Sequence, residues 1–239
     1  MDISIVIPVY NESGKITADL ETIAAFFYSN PLSGEIIIAD DGSTDDTIQV
    51  IEKSKSVYKM NISVIKNKHF GKGFAVKTGI MKAIGDMIMF IDSGNCVPYS
   101  DVIKGIMLIK DGQCDIAHGS RYLPDSRIIK PKVWTRKLLS FLFRKFIYMH
   151  MDIPSFLTDT QCGLKIYRKD VAHHLYSECT SQGFLFDIEV ILRAQKYHYI
   201  IKEFPIQWSS DPDSRLAIFQ SFPEILKELI WIKRKLTTY

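Results

Sequence analysis

An α/β fold with a mostly parallel central sheet flanked by helices is predicted by three apolar segments that each run into a polar, acid-bearing turn. They are ISIVIPVYNES (Ile3 to Ser13), IIIADDGSTDDT (Ile36 to Thr47) and DMIMFIDSG (Asp86 to Gly94). Unbroken apolar runs suit strands covered on both faces. Carboxylates at the C-terminal ends of such strands stand where open α/β sheets bind ligands.

The elements follow in chain order. The first strand is broken by Pro8 and delivers Tyr10, Asn11 and Glu12 to the sheet edge. The second ends in Asp40 and Asp41, and Ser43, Thr44 and Asp45 offer capping side chains for a helix beginning near Asp46. Next, Gly71 and Gly73 flank Lys72 ahead of a helix with small and apolar residues at Ala75, Val76, Gly79, Ile80 and Ala83. The third named strand ends in Asp92. The first ~100 residues therefore read as β-α-β-α-β-α-β, and right-handed crossovers make such units a parallel sheet. Further on, GSRY (Gly119 to Tyr122) follows a short apolar strand, Asp159 precedes a glycine-containing turn, and Asp187 and Glu189 open a helix. Lys132 to Phe156 and the C-terminal FPEILKELIWIKRKL carry apolar residues at helical intervals with Lys and Arg between them.

With 239 residues and 46% hydrophobic content, the chain can bury one large core. Residues 1–210 read as a single domain with a basic amphipathic insertion at about 130–156, and residues 211–239 as a C-terminal amphipathic helical segment. A net charge of +3, with no basic block interleaved with aromatics, excludes a nucleic-acid partner. Positive charge does gather between Arg121 and Lys145, which points to an anionic partner such as a phosphate or a lipid surface. Cys96, Cys114, Cys162 and Cys179 show neither zinc nor C-x-x-C spacing and read as reduced thiols of a cytoplasmic protein. No signal peptide is expected, and the best apolar run, LLSFLFRKFIYMHM, is shorter than the ~20 residues of a membrane span. A basic helix rich in Trp, Phe and Leu can instead lie in a membrane interface, or pack against the core or another subunit.

In this order, IPVYNE, ADDGSTDDT, GKGFAVKTG, FIDSG, GSRY, DTQCGLKIYR and FLFDIEVILRA, spanning Ile7 to Ala194, resemble the family 2 glycosyltransferases of GT-A fold. The likeness is to the branch of dolichyl-phosphate mannose synthases and dolichyl-phosphate glucosyltransferases. It implies a hexose transfer, with inversion, from a nucleoside-diphosphate sugar of the GDP-mannose or UDP-glucose class to a polyprenyl phosphate. The enzyme would be peripheral on the cytoplasmic membrane face, and a homo-oligomer is compatible with it. By the same resemblance Pro8, Tyr10, Glu12 and Asp41 contact base and ribose, with Asp40 beside them and Lys72 near the phosphates. Arg121 and Arg136 match phosphate-binding positions, which suits the bidentate guanidinium fork. Asp159 and Asp187 border the active site as pocket organisers, with Gln161 nearby.

Asp92 stands where the family's metal-binding D-x-D begins, as a ligand for Mg²⁺ or Mn²⁺. Here the chain departs from the pattern: Gly94 replaces the second aspartate. Either Ser93 or Asn95 supplies a neutral oxygen, or the metal binds only with the diphosphate, or turnover needs no metal, or activity is lost. Two other functions stay open: transfer to a saccharide hydroxyl in surface-polysaccharide assembly, and a catalytically inactive nucleotide-sugar-binding protein. His69, His118, His173 and His174 read as surface or packing residues rather than ligands.

Overall fold

The computed structural model describes residues 1–58, 60–131, 134–210 and 222–237. Seven strands form the main sheet: β1 (Ile3–Val9), β2 (Gly34–Asp40), β3 (Asn61–Lys66), β4 (Met87–Ile91), β5 (Ile116–Ser120), β7 (Leu164–Arg168) and β8 (Ile201–Pro205). Two more, β6 (Arg127–Lys130) and β9 (Gln207–Ser209), pair parallel as a small separate ribbon. The helices are α1 (Ile16–Ser29), α2 (Thr47–Val57), α3 (Lys72–Lys82), α4 (Tyr99–Lys110), α5 (Trp134–His150), α6 (Lys169–Glu178), α7 (Phe186–Lys196) and α8 (Phe222–Thr237).

The strand order is β3-β2-β1-β4-β7-β5-β8. All pairs are parallel except those of β7, which is antiparallel to both β4 and β5. From β1 the chain steps outward through β2 to β3, then returns across β1 to β4. The order therefore reverses between β1 and β4, and ligands of open α/β sheets bind in the crevice outside such a switch point. The register opens that crevice: β1 pairs with β2 as far as Val9, but with β4 only as far as Val6. Pro8 lies beyond the β4 pairing, so its missing N–H breaks no ladder on that side.

Alternation along the strands divides the core. Ile3, Ile5, Ile7 and Met89 pack with α1 and α4 residues such as Leu20, Ile23, Val102 and Ile106 on one face. Val6, Ile37, Ile88 and Phe90 pack with Val76, Ile80, Leu175 and Phe186 of α3, α6 and α7 on the other. Burial on both faces is why the strands read as unbroken apolar runs. The β-α-β-α-β-α-β order expected over the first ~100 residues is the one observed, up to β4. A third cluster joins Phe143 and Ile147 of α5, Ile188 of α7, and Leu229 and Ile232 of α8. The C-terminal helix therefore packs on the body of the protein through one face. Its other face exposes Leu226, Ile230 and Trp231.

Candidate active site

The C-terminal edges of the parallel strands bring most of the candidate residues together. Tyr10 follows β1, Asp40 and Asp41 close β2, Asp92 follows β4 and Arg121 follows β5. Because β7 runs antiparallel, its N-terminal end reaches the same edge and sets Gly163 beside Asp92, whose N–H donates to the Gly163 carbonyl at 2.9 Å. A Cβ on Gly163 would overlap the Asp92 carboxylate, so only glycine leaves that side chain its place.

Asp92 meets a cation from within the chain. The Lys72 ammonium, at the start of α3, lies 2.7 Å from Asp92 Oδ1. That oxygen accepts no well-directed hydrogen bond, so the contact is one of charge. Lys72 also sits 5.2 Å from the Phe90 ring and 6.0 Å from that of Phe186, within cation–π range. Burial pulls its pKa down, but the charges of Asp92 and Asp187 outweigh burial and leave it raised. Asp187 in turn is ion-paired to the buried Lys165. Its carboxyl is shifted upward because burial exceeds the help it receives from Lys165 and Lys72.

The turn after Asp92 is held from α1. Asp19 is only 4% exposed, and its carboxylate accepts from the Ser93 hydroxyl and from the N–H groups of Gly94 and Asn95. Gly94 at φ 98° and Asn95 at φ 48° take the left-handed conformations that this turn requires. The Ser93 hydroxyl is spent donating a hydrogen bond to Asp19, and Asn95 is exposed.

The acids after β2 also hold loops. Asp40 accepts from Gly42 and Ser43 N–H. Asp41 accepts from Phe70 and Gly71 N–H at 3.0 Å each, and its Oδ2 lies 2.8 Å from His69 Nδ1. The His69 ring stacks on Tyr10 with centroids 4.3 Å apart and planes 16° from parallel. Glu12 closes the first turn, its N–H bonded to the Thr47 hydroxyl and its carboxylate 3.5 Å from the Lys15 ammonium.

On the β5 side, Arg121 grips Asp159 bidentately, Nε to Oδ2 at 2.6 Å and Nη2 to Oδ1 at 2.8 Å. Burial pushes the Asp159 carboxyl up, but the charge and hydrogen bonds of Arg121 outweigh it and hold it at about 2. Glu203 of β8 fixes the same loop by accepting from Thr158 and Asp159 N–H. Gln161 lies within it, its N–H donating to Asp159 at 3.3 Å. Arg144 of α5 arches over the Tyr122 ring at 4.0 Å and donates to the Thr158 carbonyl. Arg136 lies on α5, and its side chain falls outside the described residues. His118 is buried beside this cluster, and burial together with the Lys165 charge keeps it neutral.

For a divalent cation the protein supplies one carboxylate with an orphaned oxygen, Asp92 Oδ1. Among the described residues no group of three or more His, Cys, Asp or Glu could hold a metal by itself. That donor set fits a cation bound jointly with a diphosphate, since Mg²⁺-type ions are commonly held by one or two carboxylates plus substrate phosphates.

Sequence reasoning missed Asp19, Gly163, Lys165 and Arg144 as parts of the site, and read His69 as a surface or packing residue. Arg144 had a signal in its place in the cationic stretch, and Gly163 and Lys165 in theirs within DTQCGLKIYR. Asp19 depends on contacts between segments remote in sequence.

Comparison with known proteins places this arrangement. The chain is 30% identical over 245 residues to the dolichyl-phosphate beta-glucosyltransferase of Dictyostelium discoideum, covering 97% of this chain and 73% of the relative. It is 30% identical over 248 residues to the Saccharomyces cerevisiae protein of the same name, covering 97% and 74%. Among solved structures it is similar to glucosyl-3-phosphoglycerate synthase from Mycobacterium tuberculosis in complex with Mn²⁺ and UDP-glucose. There the TM-score is 0.72 at 16% identity, over 96% of this chain and 77% of that one, a likeness of fold. The sequence profile of Glycosyl transferase family 2 matches residues 4–175, well over half the chain. A GT-A sheet with its acids at the switch point, a family profile across that sheet and near-full-length relatives converge: the chain belongs to glycosyltransferase family 2.

Proposed function

We propose that this enzyme transfers glucose from UDP-glucose to a polyprenyl phosphate at a membrane surface. The observation that carries it is the 28–30% identity, over 97–99% of this chain, to dolichyl-phosphate beta-glucosyltransferases from several organisms. The site's chemistry agrees. An acceptor phosphate oxygen is already anionic, so its attack needs no strong general base. The two pocket-organising acids are accordingly committed to ion pairs, Asp159 to Arg121 and Asp187 to Lys165.

In the proposed reaction a phosphate oxygen of the acceptor forms a bond to the anomeric carbon from the face opposite the leaving group. The bond from that carbon to the UDP oxygen breaks, and UDP leaves with the electron pair. The configuration inverts. Tyr10 and Asp41 hold the base, and Lys72 and Asp92 face the diphosphate. Mg²⁺ or Mn²⁺ bound at Asp92 with the diphosphate would neutralise charge on the departing oxygens. Arg121 and Arg144 stand on the side of the β5 edge, where cations would receive the acceptor phosphate, and Arg136 is proposed to join them.

Membrane contact is supported by α5. Trp134, Leu138, Phe141, Leu142 and Met149 are exposed along it, with Lys137 and Lys145 among them. Such a face suits an anionic interface. Among the described residues no helix is long and apolar enough to cross a membrane.

The test is transfer of radiolabelled glucose from UDP-glucose into solvent-extractable lipid with polyprenyl phosphate, under Mg²⁺, Mn²⁺ or chelator, with GDP-mannose as the competing donor. With each donor labelled in its own sugar, labelled lipid is expected from UDP-glucose and not from GDP-mannose. UDP binding without lipid product from either donor would overturn the proposal and favour a saccharide acceptor or a binding-only role.

A further inference from the structure

His69 and Lys72 stand three residues apart and both occupy groups assigned to the donor. The face of Tyr10 and the carboxylate of Asp41 together suit a planar heterocycle that carries a ring N–H. The stacked ring fills the face, and the N–H donates to the acceptor-only carboxylate. The His69 imidazole occupies both positions at once, with its ring 4.3 Å from Tyr10 and Nδ1 2.8 Å from Asp41 Oδ2 and 3.1 Å from the Asp41 carbonyl oxygen. Lys72 does the same for charge, with an ammonium 2.7 Å from the Asp92 oxygen that a metal would take.

We infer that the segment from His69 to Lys72 is a built-in occupant of the donor site, with His69 in the seat of the nucleobase and Lys72 in that of the cation. UDP binds by exchange: the uracil ring N–H replaces His69 Nδ1 on Asp41, and the Lys72 ammonium turns from Asp92 to the diphosphate. The backbone need not move: Phe70 and Gly71 N–H hold Asp41 through Oδ1, and Oδ2, which Gly71 N–H also reaches at 3.1 Å, exchanges only its His69 contact. The His69 side chain is 60% exposed and has solvent to turn into. The loop is anchored on its far side, where Gly73 and Phe74 N–H donate to the carbonyls of Gly183 and Gln182. Gly71 at φ 114° approaches Gln182 too closely for a side chain.

This inference rests on the donor site proposed above, and it fixes the sign of an effect. If His69 competes with the base, removing it tightens UDP binding. If His69 is a platform on which the base stacks, removing it weakens binding. UDP titrated calorimetrically into the wild type and His69→Ala, in chelator, is expected to show about tenfold tighter binding by the variant, or about 1.4 kcal/mol. His69→Phe, which keeps the stack and loses the N–H, is expected to fall between them. The nucleotide-free melting temperature shows that both variants are folded. As a second readout, the His69 ring resonances of the wild type in NMR spectra should shift to those of a solvated imidazole on UDP addition. Equal or weaker binding by His69→Ala, or His69 resonances unmoved by UDP, would overturn the exchange while leaving the donor assignment intact. Absence of UDP binding to every protein would overturn both. UDP binding without lipid product would overturn only the proposed acceptor.

Discussion

Asp159 shows how one charge pair shapes the acid limit of this fold. Its folded pKa, about 2, lies below the unfolded value of about 3.9, so its stabilising contribution is complete above pH ~4 and is lost as the pH falls towards 2. Asp159→Asn leaves Arg121 buried without its counter-charge, at a cost of about 3–5 kcal/mol at neutral pH. Urea unfolding of wild type and variant is expected to show this gap at pH 7 and a narrowing gap from pH 4 to pH 2. A gap independent of pH would sink the assignment. Gly163 offers a sharper probe of Asp92. Gly163→Ala drives a methyl into the carboxylate, so metal-stimulated UDP binding is expected to fall by about tenfold or more. Calorimetry with Mn²⁺ checks this, and an unchanged metal effect would remove Asp92 as the cation's ligand. These residues also mark what could be read in advance. Asp41, Lys72, Asp92 and Arg121 stand at strand ends or a glycine-flanked helix start, where local pattern suffices. Asp19 is a lone acid on the apolar stripe of α1, and its partners lie more than 70 residues away. Nothing within its own helix announces what it holds.

The helical segments were legible by period, though their surroundings were not. Apolar residues at helical spacing mark α5 and α8, but the same spacing serves core, membrane and subunit contacts. Packing separates them: Phe143 and Ile147 of α5 are buried against α7 and α8, while Leu138, Phe141 and Leu142 face outward. Two changes test this division. Ile232→Ala, at a fully buried position of α8, is expected to cost about 2–5 kcal/mol in chemical unfolding. Phe141→Glu with Leu142→Glu is expected to spare the melting temperature and to reduce co-sedimentation with anionic liposomes by on the order of 100-fold, since each large apolar side chain is worth about 1.5–3 kcal/mol on burial. Retained liposome binding would shift the contact away from α5. Strand β7 was the least legible element. Its sequence, LKIYR, holds the buried Lys165, and a charge there obscures a core strand until Asp187 supplies its partner.

Across the whole molecule, the strand reversal between β1 and β4 divides the site into two halves on one edge. The donor half is built from the turns after β1, β2 and β4 and the loop before α3, held by Asp19, Asp40 and Asp41. The second half is built from the turn after β5 and the loop before β7, held by Glu203 and the Arg121–Asp159 pair. Antiparallel β7 joins them, since Gly163 touches Asp92 at one end of a loop that begins with Asp159. The parallel half was foreseeable from repeated strand-turn-helix patterns. The second half was not, because it assembles from β5, β7 and β8, whose pairing joins residues 47 to 85 positions apart. This division predicts where ligands protect the backbone from hydrogen exchange. UDP should slow exchange at residues 41–47, 69–73 and 92–95 and leave 121–126 and 157–162 nearly unchanged. A short-chain polyprenyl phosphate added to the UDP complex should then protect the second set. The same UDP, at 100 times its dissociation constant, should raise stability by about 2.7 kcal/mol. Protection of both sets by UDP alone would mean that the halves close as one body around the donor, and the acceptor would then enter a site already formed.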